Sequence, residues 1–398
     1  MKYIPYGRQH IDSHDVKSVS KALRSELITT GNYLGKYERK ICKTLNSKYA
    51  LACSSGTAGI HLALLAINLK KNDIVIMPAI NFIASYSLSK LMKAKIFLAD
   101  VDPYTGQMTP KTLLECINKN KIKKIKVVIT MYLGGYPENI CEFYQIKKKY
   151  NFYLIEDACH ALGSKYLSGK KYLSVGSCKH SDLAVFSTHP VKTITTGEGG
   201  FVTTNNKKFY EKMKLLRSHG IFRKNKNHWH YNIIETGFNY RLSDLNCSLG
   251  LTQLNKMRKF ISFRKKVYNF YVSKLKTLNK FIEITNYSKE NRPSYHLFLI
   301  TINFDKVSST KENFFRYLKK NKILAQYHYI PLYKFSFYKN KKFQLKGAEV
   351  YYKTKISLPI FFHYSQPQQN YVLKKIKSFF NDKKVKFNID NNASKIRY

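Results

Sequence analysis

Acidic residues are scarce in this chain of 398 residues, which has 24 Asp and Glu against 70 Lys and Arg and a formal net charge of +46. The lysines are spread along the chain, and no helix-turn-helix, zinc-finger or RNA-recognition pattern accompanies them. Nucleic acid is therefore not expected as a partner. A charge of this size favours instead the rapid capture of dianionic small molecules.

Cysteine, tryptophan and long apolar runs are also rare. The seven cysteines are odd in number and scattered, with no C-x-x-C pair, which argues against a disulfide framework and a zinc site. His228 and His230 flank the single Trp229, but no cysteine or carboxylate completes a ligand set, so no metal is expected. Without a membrane-length apolar run or a signal peptide, we expect a cytoplasmic protein with no membrane partner.

Short apolar runs alternate with helical patterns through the first two thirds of the chain. This alternation predicts an α/β fold with a largely parallel sheet covered by helices on both faces. The predicted strands are residues 74–80, 95–100, 126–130, 153–157 and 183–186. The predicted helices lie near 57–69, 82–92, 110–119 and 138–149, after an N-terminal helix with Val16, Val19 and Leu23.

The pattern changes after the long amphipathic helix that Ser243 is expected to cap at its N-terminus. The elements predicted beyond it are a strand at 296–302, a helix at 310–320, a strand at 323–330 and a last helix that ends at 380. We therefore predict a large domain over 1–261, a smaller domain over 262–380 and a polar tail over 381–398.

One lysine differs in its surroundings from the many others. Lys192 lies between Val191 and Ile194 on a Ser/Thr/Gly-rich loop that joins the strand at 183–186 to a second short strand at 201–204. Partial burial lowers the pKa of an ammonium group and makes its amine a nucleophile for Schiff-base formation. Taken alone, an ordinary surface lysine is the simpler interpretation in a chain so rich in lysine.

Two further segments change that interpretation. Asp157 ends the apolar run 153–157, at the strand end where open α/β sheets bind their ligands. Residues 53–59, which include Gly56 and Thr57, open an apolar helix whose free N–H groups and dipole favour a phosphate. A Schiff-base lysine, an acidic partner for a pyridinium nitrogen and a phosphate cup are what a pyridoxal 5'-phosphate (PLP) enzyme needs, so PLP is the predicted cofactor.

These segments resemble those of the DegT/DnrJ/EryC1/StrS sugar-nucleotide aminotransferases, and the resemblance runs from Tyr3 to about Phe380. It implies the aspartate-aminotransferase-like fold (fold type I), with a large PLP-binding domain, a smaller C-terminal α/β domain and an N-terminal segment over the active site. The segments 4–9, 156–163, 237–241 and 328–331 are most similar to the branch of the family that works in pseudaminic acid synthesis.

That branch moves the amino group of L-glutamate to C4 of UDP-2-acetamido-2,6-dideoxy-β-L-arabino-hex-4-ulose, giving UDP-4-amino-4,6-dideoxy-N-acetyl-β-L-altrosamine. The resemblance implies that Lys192 and Asp157 are the catalytic residues. The implied cofactor-binding residues are Lys192, Asp157, His160, Phe82, Gly56, Thr57, Ser187 and Asn239. The implied substrate-binding residues are Tyr6, Glu26, Leu27, Ile28, Thr29, Gly56, Ser187, Asn239, His328, Tyr329, Ile330 and Pro331.

In the family, the asparagine that matches Asn239 reaches the cofactor phosphate of the other subunit, which implies a homodimer with shared active sites. The residues alone also allow structural roles for Phe82, His160, Asn239 and His328. Glu26 is an unexpected acid in a loop that would meet two phosphates, so another 3- or 4-keto sugar linked to dTDP or GDP stays open as substrate. A non-catalytic basic binding protein on the same fold is the alternative of another class, and the joint presence of Lys192 and Asp157 disfavours it.

Overall fold

The computed structural model describes residues 2–223, 229–278, 280–304, 307, 309–338 and 343–381. Its helices are α1 (Ser13–Leu23), α2 (Asn32–Leu45), α3 (Gly56–Ala66), α4 (Ile83–Leu91), α5 (Pro110–Lys119), α6 (Ile140–Tyr150), α7 (Lys207–Arg217), α8 (Asp244–Leu275), α9 (Lys311–Lys320), α10 (Lys346–Thr354) and α11 (Gln366–Asn381).

The strands of the large sheet and its flanking hairpins come first in the chain. They are β1 (Tyr49–Cys53), β2 (Ile74–Pro78), β3 (Lys95–Ala99), β4 (Val127–Met131), β5 (Tyr153–Asp157), β6 (Lys165–Ser168), β7 (Lys171–Ser174), β8 (Leu183–Ser187), β9 (Gly200–Thr204), β10 (Ile221–Phe222) and β11 (Asn232–Ile233). The strands of the C-terminal sheet are β12 (Ile282–Ile284), β13 (Phe298–Ile302) and β14 (Lys355–Leu358).

The central sheet has seven strands in the order β1-β9-β8-β5-β4-β2-β3. The pairings from β8 to β3 are parallel, whereas β9 runs antiparallel to both β1 and β8. Asp157 at the end of β5 lies in register with Met131 of β4 and Val185 of β8. The carboxyl ends of these parallel strands therefore meet at one edge, as the strand–helix alternation predicts.

Alternate residues of the parallel strands pack into different hydrophobic clusters on the two faces of the sheet. Val128 and Leu154 belong to the cluster that includes α2, α5 and α6, whereas Ile129 and Ile155 belong to the cluster that includes α3 and α4. Both faces are covered, so these strands are nearly continuous apolar runs without polar alternation. This burial explains why their positions are predictable from the sequence.

Helix α8 connects the central sheet to the C-terminal part of the chain. Its N-cap is Ser243, whose hydroxyl accepts from the backbone N–H of Asn246 at 3.2 Å, as predicted. Met257 in its first half packs with the large-sheet core, and Tyr271 in its second half packs with the core around β12–β14. The domain boundary after residue 261 falls inside this helix, and the division into 1–261 and 262–380 stays a prediction.

The predicted strand at 323–330 is wrong. Among the described residues this segment makes only isolated bridges, from Ile323 to Ile4 and from Gln326 to Ser357, while β14 pairs with β13. Residues 326–330 line a cavity rather than a sheet, whereas Ile323 is buried in the core around β12–β14. Of the predicted tail, residues 382–398 lie outside the described residues.

Two expectations of absence concern the membrane and metals. Within the described ranges, every helix is too short or too polar to cross a bilayer. The same residues contain no group of three or more His, Cys, Asp or Glu placed to hold a metal ion, and His228 lies outside them.

Candidate functional site

A cavity with a volume of about 550 Å³ lies at the carboxyl edge of the central sheet. Its walls include the end of β5 at Asp157, the end of β8 at Ser187, and Phe82, which follows β2. Lys192 enters from the loop after β8. The topology therefore brings three segments that are far apart in the chain to one pocket, at the position where open α/β sheets bind ligands.

The amino end of α3 forms one wall of this cavity. Ser55 is the N-cap, and its hydroxyl accepts from the N–H of Ala58 at 3.0 Å. Gly56 and Thr57 follow in the first turn and line the cavity. A Cβ atom on Gly56 would lie 3.0 Å from Cβ of Ser187, so the glycine lets Ser187 approach the helix end. Free N–H groups, the helix dipole and a nearby hydroxyl form a site suited to a phosphate.

Gly200 at the start of β9 supports the same helix end from behind. A Cβ atom on Gly200 would lie 2.6 Å from the backbone carbon of Ser55 and 2.7 Å from the nitrogen of Gly56. We expect Gly200→Ala to displace the first turn of α3 and to weaken PLP binding by the apoenzyme by about tenfold or more, because the contact is with backbone that cannot rotate away. Fluorescence titration of the apoenzyme with PLP measures this loss.

The matched control for this prediction is Gly35→Ala in α2. There the added Cβ meets only the far end of the Arg39 side chain, at 3.2 Å, which is free to move. This variant should bind PLP as the wild type does and gain up to about 1 kcal/mol of stability from helix propensity. Equal PLP affinity of Gly200→Ala and wild type would show that the helix end is not part of the cofactor site.

Asp157 is the buried carboxylate of the cavity, with 3% of its surface exposed. Its Oδ1 accepts from the backbone N–H of Cys159 at 3.2 Å. Burial raises the pKa of Asp157, while the hydrogen bonds from Cys159 and the nearby charge of Lys192 act in the opposite direction. A carboxylate in such a place is stabilised when a cationic group faces it.

Lys192 is half-buried and lines the same cavity as Asp157. Burial lowers the pKa of Lys192, whereas Cys159 and Asp157 act to raise it. A lower pKa increases the fraction of neutral amine at neutral pH, which is the form that attacks a carbonyl carbon. The two residues on which the PLP prediction depends are therefore neighbours in one pocket.

A group of histidines forms another part of the cavity wall. The ring of His160 packs against that of His296, with centroids 4.3 Å apart and planes tilted by 44°, and its Nε2 lies 2.9 Å from the hydroxyl of Tyr329. His328 shares a hydrogen bond of 2.8 Å with Ser357. Burial lowers the pKa of all three histidines, and that of His328 falls to about 3. The wall is therefore neutral at physiological pH.

Most of the site residues implied by the sequence lie together. Those that line the cavity are Tyr6, Gly56, Thr57, Phe82, Asp157, His160, Ser187, Lys192, His328, Tyr329 and Ile330. Those that do not line it in this chain are Glu26, Leu27, Ile28, Thr29, Asn239 and Pro331. Phe82 is 50% exposed although the preceding Asn81 is buried, which is unusual for a core aromatic and fits a ring that covers a ligand.

Sequence reasoning missed several residues of the cavity. They include Asn81, Met131, His189, Glu198, His296 and Gln326. Some carried a signal, since Asn81 directly precedes Phe82, and Met131 ends a parallel strand next to Asp157. His296 carried none, because it belonged to an apolar run that was read as a strand and only the tertiary fold brings it to His160.

Three features of the cavity are suited to binding PLP. The amino end of α3 meets Ser187 at Gly56, where a Cβ atom would lie only 3.0 Å from that of Ser187. Asp157 offers a buried carboxylate to a ring nitrogen, and Lys192 offers an amine of lowered pKa in the same pocket. When bound, PLP supplies an aldehyde carbon that takes up an amino group and a ring that withdraws electrons from it.

Comparison with known proteins gives a consistent result. The model of the DegT/DnrJ/EryC1/StrS aminotransferase family matches residues 9–377. A UDP-4-amino-4,6-dideoxy-N-acetyl-β-L-altrosamine transaminase of Campylobacter jejuni subsp. jejuni serotype O:23/36 (strain 81-176) is 38% identical over 360 residues, which cover 89% of this chain and 92% of that protein.

Two solved structures agree with this result. PseC of Helicobacter pylori, an aminotransferase involved in the biosynthesis of pseudoaminic acid, is 28% identical with a TM-score of 0.87, covering 96% of this chain and all of that one. A Streptococcus pneumoniae protein described as a sugar aminotransferase, solved in its PLP form, is 26% identical with a TM-score of 0.85 and covers 95% of this chain and 99% of its own.

The match extends over nearly the whole chain, and the fold, the cavity and the cofactor of the family agree with the residues present. The chain belongs to the DegT/DnrJ/EryC1/StrS aminotransferase family and is a PLP-dependent sugar aminotransferase of fold type I.

Proposed function

We propose that this enzyme transfers the amino group of L-glutamate to C4 of UDP-2-acetamido-2,6-dideoxy-β-L-arabino-hex-4-ulose. The products are UDP-4-amino-4,6-dideoxy-N-acetyl-β-L-altrosamine and 2-oxoglutarate, so the reaction belongs to pseudaminic acid biosynthesis. The observation that carries the proposal is the 38% identity to the altrosamine transaminase over 89% of this chain. A cytoplasmic setting is part of the proposal, and the seven free thiols favour such a reducing compartment.

Within the cavity, Lys192 and Asp157 would do different work. The Lys192 amine, with its pKa lowered by burial, is suited to take the proton from the donor's α-carbon and to return one to the acceptor's C4 in the opposite half of the cycle. Asp157 would hold the ring nitrogen of the cofactor protonated. Phe82 would cover the ring, and Gly56, Thr57 and Ser187 would hold the phosphate.

The sugar nucleotide is proposed to enter from the side of Tyr6 and of residues 328–330. The ring of Tyr6 contacts that of His328 with centroids 5.1 Å apart, so the N-terminal segment and residues 328–330 form one continuous wall. The 4-keto carbon would reach Lys192 between this wall and Phe82. Pro331 does not line the cavity, and its proposed role is to hold the turn that follows Ile330.

We propose further that two copies of the chain share their active sites. Asn239 is exposed and does not line the cavity of its own chain, as expected of a residue that serves the partner's cofactor. Leu27 and Ile28, two of the implied substrate-binding residues, are also exposed, with 55% and 44% of their surfaces accessible. Exposed apolar residues of this size commonly mark protein interfaces.

The substrate is tested by incubating the enzyme with L-glutamate and a panel of 3-keto and 4-keto sugars linked to UDP, dTDP or GDP. We expect amination of the UDP-linked 4-keto-6-deoxy-N-acetylhexosamine with the highest kcat/KM, measured by 2-oxoglutarate formation. Exclusive amination of dTDP- or GDP-linked sugars would contradict the choice of nucleotide while leaving the transaminase activity intact.

Shared active sites are tested with hybrid dimers. Lys192→Ala and Asn239→Ala chains carrying different tags are co-expressed, and the dimers with both tags are isolated. Each hybrid has one site with an intact Lys192 and the partner's intact Asn239, so we expect it to regain about half of the wild-type activity per dimer.

The two parent homodimers are the controls for this experiment, because each lacks one of the two residues in both sites. Hybrids no more active than the parents would contradict a site built from both chains.

A further inference from the structure

His160 uses both of its ring nitrogens in hydrogen bonds within the described structure. The backbone N–H of Gly134 donates to Nδ1 at 3.3 Å. On the other side of the ring, Nε2 lies 2.9 Å from the hydroxyl oxygen of Tyr329. The imidazole therefore connects a backbone amide to a tyrosine that lines the cavity.

The amide of Gly134 decides the tautomer of this ring. A peptide N–H can only donate, so Nδ1 of His160 must be an acceptor and carries no hydrogen. Burial and the nearby Lys192 lower the pKa of His160, so the ring stays neutral and holds a single N–H. That hydrogen is on Nε2, and it is donated to the oxygen of Tyr329.

The position of His160 is fixed from its backbone as well as its ring. The hydroxyl of Ser294 donates to the carbonyl of His160 at 2.8 Å. Gly135 has a φ of +87°, and a Cβ atom there would lie 2.6 Å from the same carbonyl oxygen, so only glycine allows this approach. These contacts keep the amide of Gly134 and the ring of His160 in hydrogen-bonding distance.

The hydroxyl of Tyr329 has one hydrogen, and it is not used toward His160. A hydroxyl that accepts from Nε2–H must direct its own O–H elsewhere. Among the described residues, His160 is the partner found for this hydroxyl. Burial raises the pKa of Tyr329, so the hydroxyl keeps its hydrogen. Tyr329 faces the cavity, with its ring centroid 5.8 Å from that of Phe82.

We propose that His160 is a positioning residue that turns the O–H of Tyr329 into the cavity, where Tyr329 donates a hydrogen bond to an acceptor oxygen of a bound ligand. The acceptor is an oxygen of the sugar nucleotide or the phenolic oxygen of PLP, and the experiment separates these sources. The inference rests on the proposed function, because it assumes that these ligands occupy this cavity.

Two substitutions of His160 keep one half of the imidazole each. In His160→Asn the amide oxygen lies near the former Nδ1 and still accepts from Gly134, but the donor to Tyr329 is lost. In His160→Gln the amide nitrogen lies near the former Nε2 and still donates to Tyr329. Tyr329→Phe removes the hydroxyl itself, and the double variant His160→Asn/Tyr329→Phe completes a mutant cycle.

For each variant, two quantities are measured: the affinity of the apoenzyme for PLP, and KM for UDP-2-acetamido-2,6-dideoxy-β-L-arabino-hex-4-ulose. We expect Tyr329→Phe and His160→Asn to weaken the same one of these by about tenfold. The double variant should be no weaker than Tyr329→Phe, and His160→Gln should retain most of the wild-type value. The quantity that changes identifies the ligand that supplies the oxygen.

Three results of the affinity and KM measurements would overturn the proposal. They are wild-type values for Tyr329→Phe in both measurements, equal losses in His160→Gln and His160→Asn, or losses that multiply to about a hundredfold in the double variant. Long-range ¹H–¹⁵N NMR of ¹⁵N-histidine-labelled protein, with His160→Asn for assignment, reads the tautomer directly. A hydrogen on Nδ1 of His160 would overturn the proposal even if the enzyme proved to use another sugar.

Discussion

Replacing Lys192 with alanine is expected to lower transamination by about a thousandfold or more, because the variant loses both the amine that attacks the cofactor aldehyde and the group that moves the proton. Burial lowers the pKa of this lysine, so its neutral form is available where a surface lysine would be charged. The assay is 2-oxoglutarate release from L-glutamate with the keto sugar as acceptor.

Borohydride reduction provides a second readout of the same prediction. In the wild-type enzyme, reduction should fix PLP on the peptide that contains Lys192, and mass spectrometry of the digest should locate it there. Lys71→Ala is the matched control, because Lys71 is an exposed lysine in the turn between α3 and β2. Labelling of another lysine in the wild-type enzyme, or full activity of Lys192→Ala, would refute the assignment of Lys192.

Asp157→Asn is expected to lower kcat/KM by about a hundredfold or more while improving the stability of the apoenzyme. The asparagine keeps the shape of the side chain but cannot compensate a protonated ring nitrogen, so the cofactor withdraws electrons less well. The loss should appear in both half-reactions, since each depends on the same ring. Stopped-flow absorbance of the reaction with L-glutamate alone measures the first of them.

The effect on stability follows from the pKa of Asp157, which burial raises above its ordinary value of 3.8. A carboxyl group with a raised folded-state pKa stabilises the fold below its unfolded pKa, and this contribution is lost as the pH rises through the folded pKa. The wild-type apoenzyme should therefore lose this stability above pH 4, whereas Asp157→Asn should not. Urea unfolding of both apoenzymes at several pH values, fitted to the linear extrapolation, tests the difference.

Addition of PLP should reverse this order. In the wild-type holoenzyme, Asp157 is paired with a cation, so PLP binds more tightly than in the variant. Because tighter binding to the folded state stabilises it more, the wild type gains more stability from PLP than the variant does. A variant apoenzyme as pH-sensitive as the wild type would show that the burial of Asp157 carries no cost in the folded state.

The sequence located the strands well where both faces of the sheet are buried. Strand β5 at 153–157 and helix α5 at 110–119 have the bounds that the pattern predicts, because continuous apolar runs and the Pro110 start leave few alternatives. Helix α1 shows the limit of the same reasoning. Its apolar Val16 and Leu23 are exposed, whereas Asp15 is buried and bonded to Gln253 at 2.8 Å and to Lys256.

The wrong strand prediction at 323–330 has a related cause. Apolar and aromatic residues in a row predict a strand, but here Ile323 packs in the C-terminal core and residues 326–330 line the cavity. Hydropathy records that a residue avoids water, not whether it packs in a sheet or around a ligand. The pattern alone therefore could not distinguish a strand from a wall of the active site.

The amino-acid sequence by itself determined the family and the cofactor and predicted Lys192 and Asp157 as the catalytic residues, because these depend on residue types at short spacings after recognisable strands. Only the tertiary structure decided which distant residues meet at the site. The contact of His160 with His296 and the bond from Gly134 that sets the tautomer of His160 depend on how separate elements pack, and no local pattern encodes a distance between them.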